Sequence, residues 1–119
     1  MANKAGRLGT VGENGALKLL QKIWPYAERR RLSGAADKGD IAPGGVPPVP
    51  IAIEVKNAKT LNFSGWLKEA EEERKNAGAK YGIVIAKRRG YTDAGKWYAM
   101  MDGDTLVALL KEAGYSYDA

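Results

Sequence analysis

The stretch from Asp40 to Lys56 constrains this chain most. Ile51-Ala52-Ile53-Glu54-Val55-Lys56 reads as an apolar strand carrying two charges. Side chains alternate along a strand, so Glu54 and Lys56 share one face. Two ionised groups on one face of an apolar strand are costly unless something uses them. A further acid, Asp40, sits upstream in Lys38-Gly39-Asp40-Ile41. The connection Gly44-Gly45-Val46-Pro47-Pro48 between them is one that no helix survives. Two adjacent strands joined this way can bring Asp40, Glu54 and Lys56 together. Two acids and a lysine at one point suit metal-assisted phosphodiester hydrolysis, because a carboxylate-held divalent ion neutralises phosphate charge and activates water.

Composition narrows the chemistry. The chain has neither cysteine nor histidine. Disulfides, thiolate zinc sites and cysteine or histidine catalysis are excluded. Any metal would meet mostly oxygen ligands, which favours Mg²⁺ or Mn²⁺. Its 119 residues are the size of one domain. The +5 net charge lies wholly in residues 1–31, with seven Lys/Arg against two Glu, while the remainder carries twelve of each sign. A basic N-terminal third points to a polyanion partner. No apolar run approaches the ~20 residues of a membrane span. Residues 1–15 lack a signal-peptide core, so a cytoplasmic protein is expected.

The periodicities predict an α-β-β-β-α-β-β-α order. Residues 1–10 are expected as a flexible basic arm, with a single domain over 11–119. Ala16, Leu17, Leu19, Leu20, Ile23 and Trp24 mark a helix from Val11 to Trp24, closed by Pro25. Tyr26–Leu32 and Asp37–Pro43 read as strands. Ser64 and Gly78 bracket a helix to Ala77, with Trp66, Leu67, Ala70 and Ala77 inward and the acidic run Glu71-Glu72-Glu73 mostly solvated. Tyr81–Lys87 is a buried strand by its continuous apolar run. Lys96–Met101 is another, and Asp102 or Asp104 caps a last helix with Leu106, Leu109 and Leu110 inward. The fold class expected is α/β: a mixed central sheet flanked by helices, with the Ile51 and Tyr81 strands parallel across their crossover helix.

Glu13 falls in line with Leu17, Leu20 and Trp24 on the first helix's inner stripe. A carboxylate there needs a partner. A third metal-site acid, a buried arginine and the helix dipole are the alternatives.

These residues, in order, resemble the archaeal-type Holliday junction resolvases of the PD-(D/E)XK nuclease superfamily. The resemblance rests on Lys4-Ala5-Gly6-Arg7, Glu13, Arg29-Arg30-Arg31, Ser33-Gly34, Asp40-Ile41 and Ile53-Glu54-Val55-Lys56-Asn57, covering residues 4 to about 100. It implies a restriction-endonuclease-like αβββαβ core, Mg²⁺ or Mn²⁺ dependence, and a homodimer that cuts four-way DNA junctions. It carries metal roles onto Asp40, Glu54 and Glu13, and catalytic roles onto these with Lys56 and Ser33. The family's proline before the aspartate is Gly39 here. Glu69 and Glu73 stand where some relatives place a polar group facing the site, and Asp37 stands near Asp40.

Lys4, Arg7, Arg29, Arg31, Lys87 and Arg88 are the expected DNA contacts, because guanidinium forks match phosphate oxygens. A solvated edge strand and a charged loop are the plain alternatives for them. Trp66, Trp97 and Tyr98 read as core or dimer-interface aromatics rather than base-stacking groups. Another nuclease of the superfamily, of flap or repair type, and a non-catalytic DNA-binding module are the rival functions.

Overall fold

The computed structural model describes residues 4–30, 39–45 and 50–117, with side chains described from Gly9 onward. In chain order the elements are α1 (Lys4–Leu20), β1 (Glu28–Arg29), β2 (Ile41–Ala42), β3 (Ile51–Lys56), α2 (Phe63–Ala77) and β4 (Tyr81–Ala86). A short 3₁₀ turn (Ala94–Lys96), β5 (Tyr98–Met100) and α3 (Gly103–Glu112) follow.

β4 is the middle strand of a mixed three-stranded sheet. It pairs in parallel with β3, from Ile51 opposite Tyr81 to Lys56 opposite Ala86. It pairs antiparallel with β5, with Val84 opposite Met100 and Ala86 opposite Tyr98. The parallel pair needs a crossover, and α2 supplies it, as expected. Strand alternation then sorts two apolar layers. Ile53, Val55, Ile83 and Ile85 pack with Ala16, Ile41 and Trp97 on the α1 side. Val84 and Ala86 pack with Trp66 and Ala70 of α2 on the other. Burial on both faces is why Tyr81–Ala86 shows no polar alternation.

One expectation gives way here. β1 and β2 do not join the main sheet. They form their own antiparallel pair, Arg29 opposite Ile41. The ladder between β2 and β3 is broken because the side chain of Asp40, not a backbone carbonyl, accepts from Val55 N–H at 2.7 Å.

α1 begins at Lys4, so residues 4–10, expected as an arm, form its first turns. Glycine weakens a helix by about 1 kcal/mol but does not break it, and no proline precedes Pro25. Two glycines have a packing reason. A Cβ on Gly12 would stand 3.0 Å from Asn57 Cβ, and one on Gly15 would stand 2.4 Å from the Trp97 ring. They let α1 lie close against the end of β3 and the 3₁₀ turn. α1 stops at Leu20, and tighter bonds follow, Lys22 N–H to Leu19 O and Ile23 N–H to Leu20 O. That turn swings Ile23 outward, 67% exposed, although its spacing placed it on the inner stripe.

α2 is capped by Asn62, whose Oδ1 accepts from Gly65 N–H at 3.2 Å, and not by Ser64. The helix starts one residue earlier than expected because Phe63 packs edge-on against Trp66, ring centroids 6.0 Å apart. Gly78 closes it in the left-handed region, at φ 63°. Asp102 caps α3 by accepting from Thr105 N–H at 2.8 Å. The inward set expected for α3 is not found: Leu106 and Leu110 are exposed, and only Leu109 packs against the core. α3 is held along one side, by the Tyr81 hydroxyl to Ala108 O at 3.4 Å and by the Lys80–Glu112 ion pair. No helix among the described residues is long and apolar enough to cross a membrane.

The two kinds of helical glycine are separable by experiment. Among the described residues nothing lies within 4 Å of a Cβ on Gly9, so Gly9→Ala stabilises by about 0.5–1 kcal/mol. Gly15→Ala meets Trp97 and destabilises by about 1–3 kcal/mol. Urea unfolding should move the two midpoints in opposite directions. Stabilisation of both would show that α1 does not lie against Trp97.

Candidate functional site

The site is built on the open edge of β3. Its other edge is occupied by β4. At the open edge, Ile53 O accepts from Asp40 N–H at 2.7 Å, and Val55 N–H donates to Asp40 Oδ2 at 2.7 Å. Asp40 O in turn accepts from Arg30 N–H at 2.8 Å. Gly39 makes this approach possible. Its φ is +100°, and a Cβ there would stand 2.9 Å from Ile53 O. Proline, fixed near φ −65°, cannot occupy that conformation.

Glu54 lies on the α2 side of β3 and is 6% exposed. Its Oε1 stands 3.3 Å from Lys56 Nζ. Its Oε2 is buried and has no hydrogen-bond partner among the described residues. Lys56 Nζ also donates to Glu69 Oε2 at 2.7 Å. From the same helix comes Glu73, 4% exposed. One oxygen each from Glu54, Glu69 and Glu73 lie within 4.8 Å of one another. The Glu54 charge acts directly on Asp40, so the two carboxyls are neighbours. The acid before Ile41 and the acid before Val55 thus meet, with an ammonium beside them.

The electrostatics follow from that crowding. Burial pushes Asp40 up from 3.8 to about 7, and the neighbouring Glu54 charge adds to it; the Val55 N–H pulls the other way. Burial likewise pushes Glu54 up from 4.5 to about 8, helped by the adjacent carboxyl of Glu73 and its charge and opposed by Lys56. Burial would lower Lys56, but the hydrogen bond to Glu69 and the charges of Glu54 and Glu69 outweigh it, and its pKa is raised. Asp40 and Glu54 therefore retain protons near neutral pH when nothing else neutralises them. An orphaned buried oxygen amid several carboxylates, with hard oxygen donors only, fits a divalent cation of the Mg²⁺ or Mn²⁺ class.

Glu13 resolves differently. Arg29 donates to its Oε2 through Nε at 2.9 Å and Nη2 at 2.6 Å. Its charge still raises Asp40, so it stands close to the site. Arg29, expected on phosphate, is engaged by that carboxylate. Lys87 Nζ lies 5.8 Å from the Trp97 ring centroid, and the Arg88 guanidinium 4.4 Å from that of Tyr91. Lys4 and Arg7 belong to the first turns of α1, and their side chains lie outside the described set. Ser33, Arg31 and Asp37 also lie outside the described residues.

Glu73 had two expectations. Its place in an acidic run pointed to solvent, and the resemblance set it facing the site; it is buried. Trp66, Ala70 and Glu73 follow one another at spacings of four and three, which is the inner stripe of α2. That spacing was the available signal. Trp66 and Trp97 are core aromatics, and Tyr98, 40% exposed, is not in the core. Comparisons with family models, curated proteins and solved structures give no match for this chain.

The raised acids predict a pH dependence. They hold protons in the folded state at pH values where the unfolded chain has released them. Without divalent ions, stability falls as pH rises from the ordinary carboxyl range through about 7 to 8. The midpoint of thermal unfolding in EDTA should drop between about pH 5 and pH 8. Mn²⁺ or Mg²⁺ should restore it, more at the higher pH, because protons and cation compete for the same oxygens. An ion-induced gain no larger at the higher pH would contradict the clustered, proton-holding acids. In Glu54→Gln the drop should shrink.

Proposed function

We propose that this chain is a divalent-metal-dependent endodeoxyribonuclease. Its substrate in this reading is branched DNA, with the four-way junction first, cut by a homodimer at two symmetric positions. The α-β-β-β-α-β order through β4 is taken as a restriction-endonuclease-like core. The observation that carries the proposal is the meeting of Asp40 and Glu54 at the β3 edge, with Lys56 Nζ 3.3 Å from Glu54.

Asp40 and Glu54 are the residues to hold Mg²⁺ or Mn²⁺, and Glu69 and Glu73 offer further oxygens. Bound there, such an ion supplies charge neutralisation for the phosphate and a more acidic water. The chain's own groups do the rest. Val55 N–H fixes one Asp40 oxygen, so this carboxylate is oriented before substrate arrives. Lys56, on the same face as Glu54, supplies an ammonium to a phosphate oxygen or to the attacking water. Glu69 holds that ammonium in place and charged. Glu13, neutralised by Arg29, acts on Asp40 through its field. Specificity for branched DNA would come from shape, since nothing in this set reads a base edge.

A labelled panel of four-way junction, flap, single strand and linear duplex, incubated with Mg²⁺ or Mn²⁺, tests the reading. The expected result is paired cuts in the junction. Asp40→Asn and Glu54→Gln should abolish cleavage and keep junction binding. Lys56→Met should slow cleavage by about 10²–10³-fold, the usual cost of one charge-stabilising donor. A fully active Glu54→Gln variant would remove the mechanism. Preference for a flap would move the chain to another nuclease type of the superfamily.

A further inference from the structure

The C-terminal ends of the parallel strands β3 and β4 open onto a cleft of about 230 Å³. It is lined by Asn57, Ala58, Lys59, Lys87, Arg89 and Gly90. Among the described residues three cations and no acid line it. None of the three forms an ion pair among the described residues. Crevices at the carboxyl ends of parallel strands are where α/β folds bind ligands.

Tyr91, next in the chain to Gly90 of the cleft wall, belongs to an aromatic step at the strand ends. The Arg88 guanidinium lies 4.4 Å from the Tyr91 ring centroid and 5.6 Å from that of Tyr98. Both tyrosines are 40% exposed. The loop that carries Tyr91 is held in shape. Tyr91 N–H donates to Arg88 O at 3.2 Å across a turn whose Gly90 has φ +89°. The indole Nε1 of buried Trp97 donates to Tyr91 O at 2.8 Å. A platform fixed in advance loses little entropy on binding.

The register ties this step to the acid site. Lys56, Ala86 and Tyr98 form one row across β3, β4 and β5, on the sheet face that carries Glu54. Two strand spacings separate Lys56 from Tyr98, about 10 Å. That is the length of two or three stacked nucleotides at ~3.4 Å each.

We propose that the cleft and its tyrosines bind a single-stranded stretch of nucleic acid. Lys59, Lys87 and Arg89 take a backbone phosphate, and Tyr91 and Tyr98 stack an unpaired base. Cations beside exposed aromatics are the combination that holds single strands without reading sequence. The inference rests on the nuclease reading only for its orientation: the unpaired nucleotides lie two or three positions from the scissile phosphate.

Binding without divalent ion separates the two. Fluorescence anisotropy of labelled single-stranded and duplex oligonucleotides of equal length, in EDTA and at several salt concentrations, is the measurement. The single strand should bind more tightly. Lys59→Ala and Arg89→Ala should weaken both ligands and lower the salt slope by about one each. Tyr91→Ala should weaken the single strand about tenfold or more and leave the duplex unchanged. Tyr91→Phe should bind as the parent does. These side chains are exposed, so the variants keep the fold, which circular dichroism checks. Single-strand affinity unmoved by Tyr91→Ala and Tyr98→Ala, or a salt slope unmoved by the lysine and arginine variants, would overturn the inference. Single-strand binding with these dependences but no metal-dependent cleavage would support this site and sink the nuclease reading. Cleavage without them would do the reverse.

Discussion

The hydrogen bond from Val55 N–H to Asp40 Oδ2 organises the rest of the site. A buried backbone N–H must be satisfied, and in a sheet the next strand's carbonyl does so. At this edge a carboxylate takes that place. The substitution ends the sheet between β2 and β3, and it brings a negative charge within reach of Glu54. Interrupting the sheet and assembling the site are one event. Gly39 permits it, because only a residue without Cβ passes so close to Ile53 at φ +100°.

The charge layout has a consequence for ligands. At the centre, Glu54, Glu69 and Glu73 cluster beside Asp40, and the Lys56 ammonium meets Glu54 and Glu69. Asp40 and Glu54 there hold protons or take a cation, since buried like charges cannot both ionise at low cost. At the rim, Lys59, Lys87, Arg88 and Arg89 follow the ends of β3 and β4. A polyanion approaching the acids alone would be repelled. The basic rim offsets that repulsion at the backbone while the centre retains affinity for divalent ions.

Much of the framework was legible because it is local. Ile51–Lys56 and Tyr81–Ala86 stand out as apolar runs, and a period of two already put Glu54 and Lys56 on one face. Glu73 shows where local reading misled. Its acidic neighbours argued for solvent, but helix geometry placed it under Trp66 and Ala70. The leucines of α3 failed in the opposite sense. Their helical spacing was read correctly, yet among the described residues no second layer covers Leu106 and Leu110. Amphipathicity states which side of a helix can be buried, and it does not supply the partner.

Residue types and their spacing sufficed for the ligand chemistry and for the face of each strand. A chain without histidine or cysteine offers a metal oxygen donors in the main, and alternation is a property of the backbone itself. They did not suffice for the pairings. Asp40 with Val55, Lys56 with Glu69 and Glu13 with Arg29 join residues 15, 13 and 16 positions apart. Contacts of that range depend on how α1, α2 and the Gly39 turn pack against β3, and no periodicity encodes it. Packing therefore chose that Arg29 neutralises Glu13, while Glu73, buried beside Glu54, joins the acid cluster.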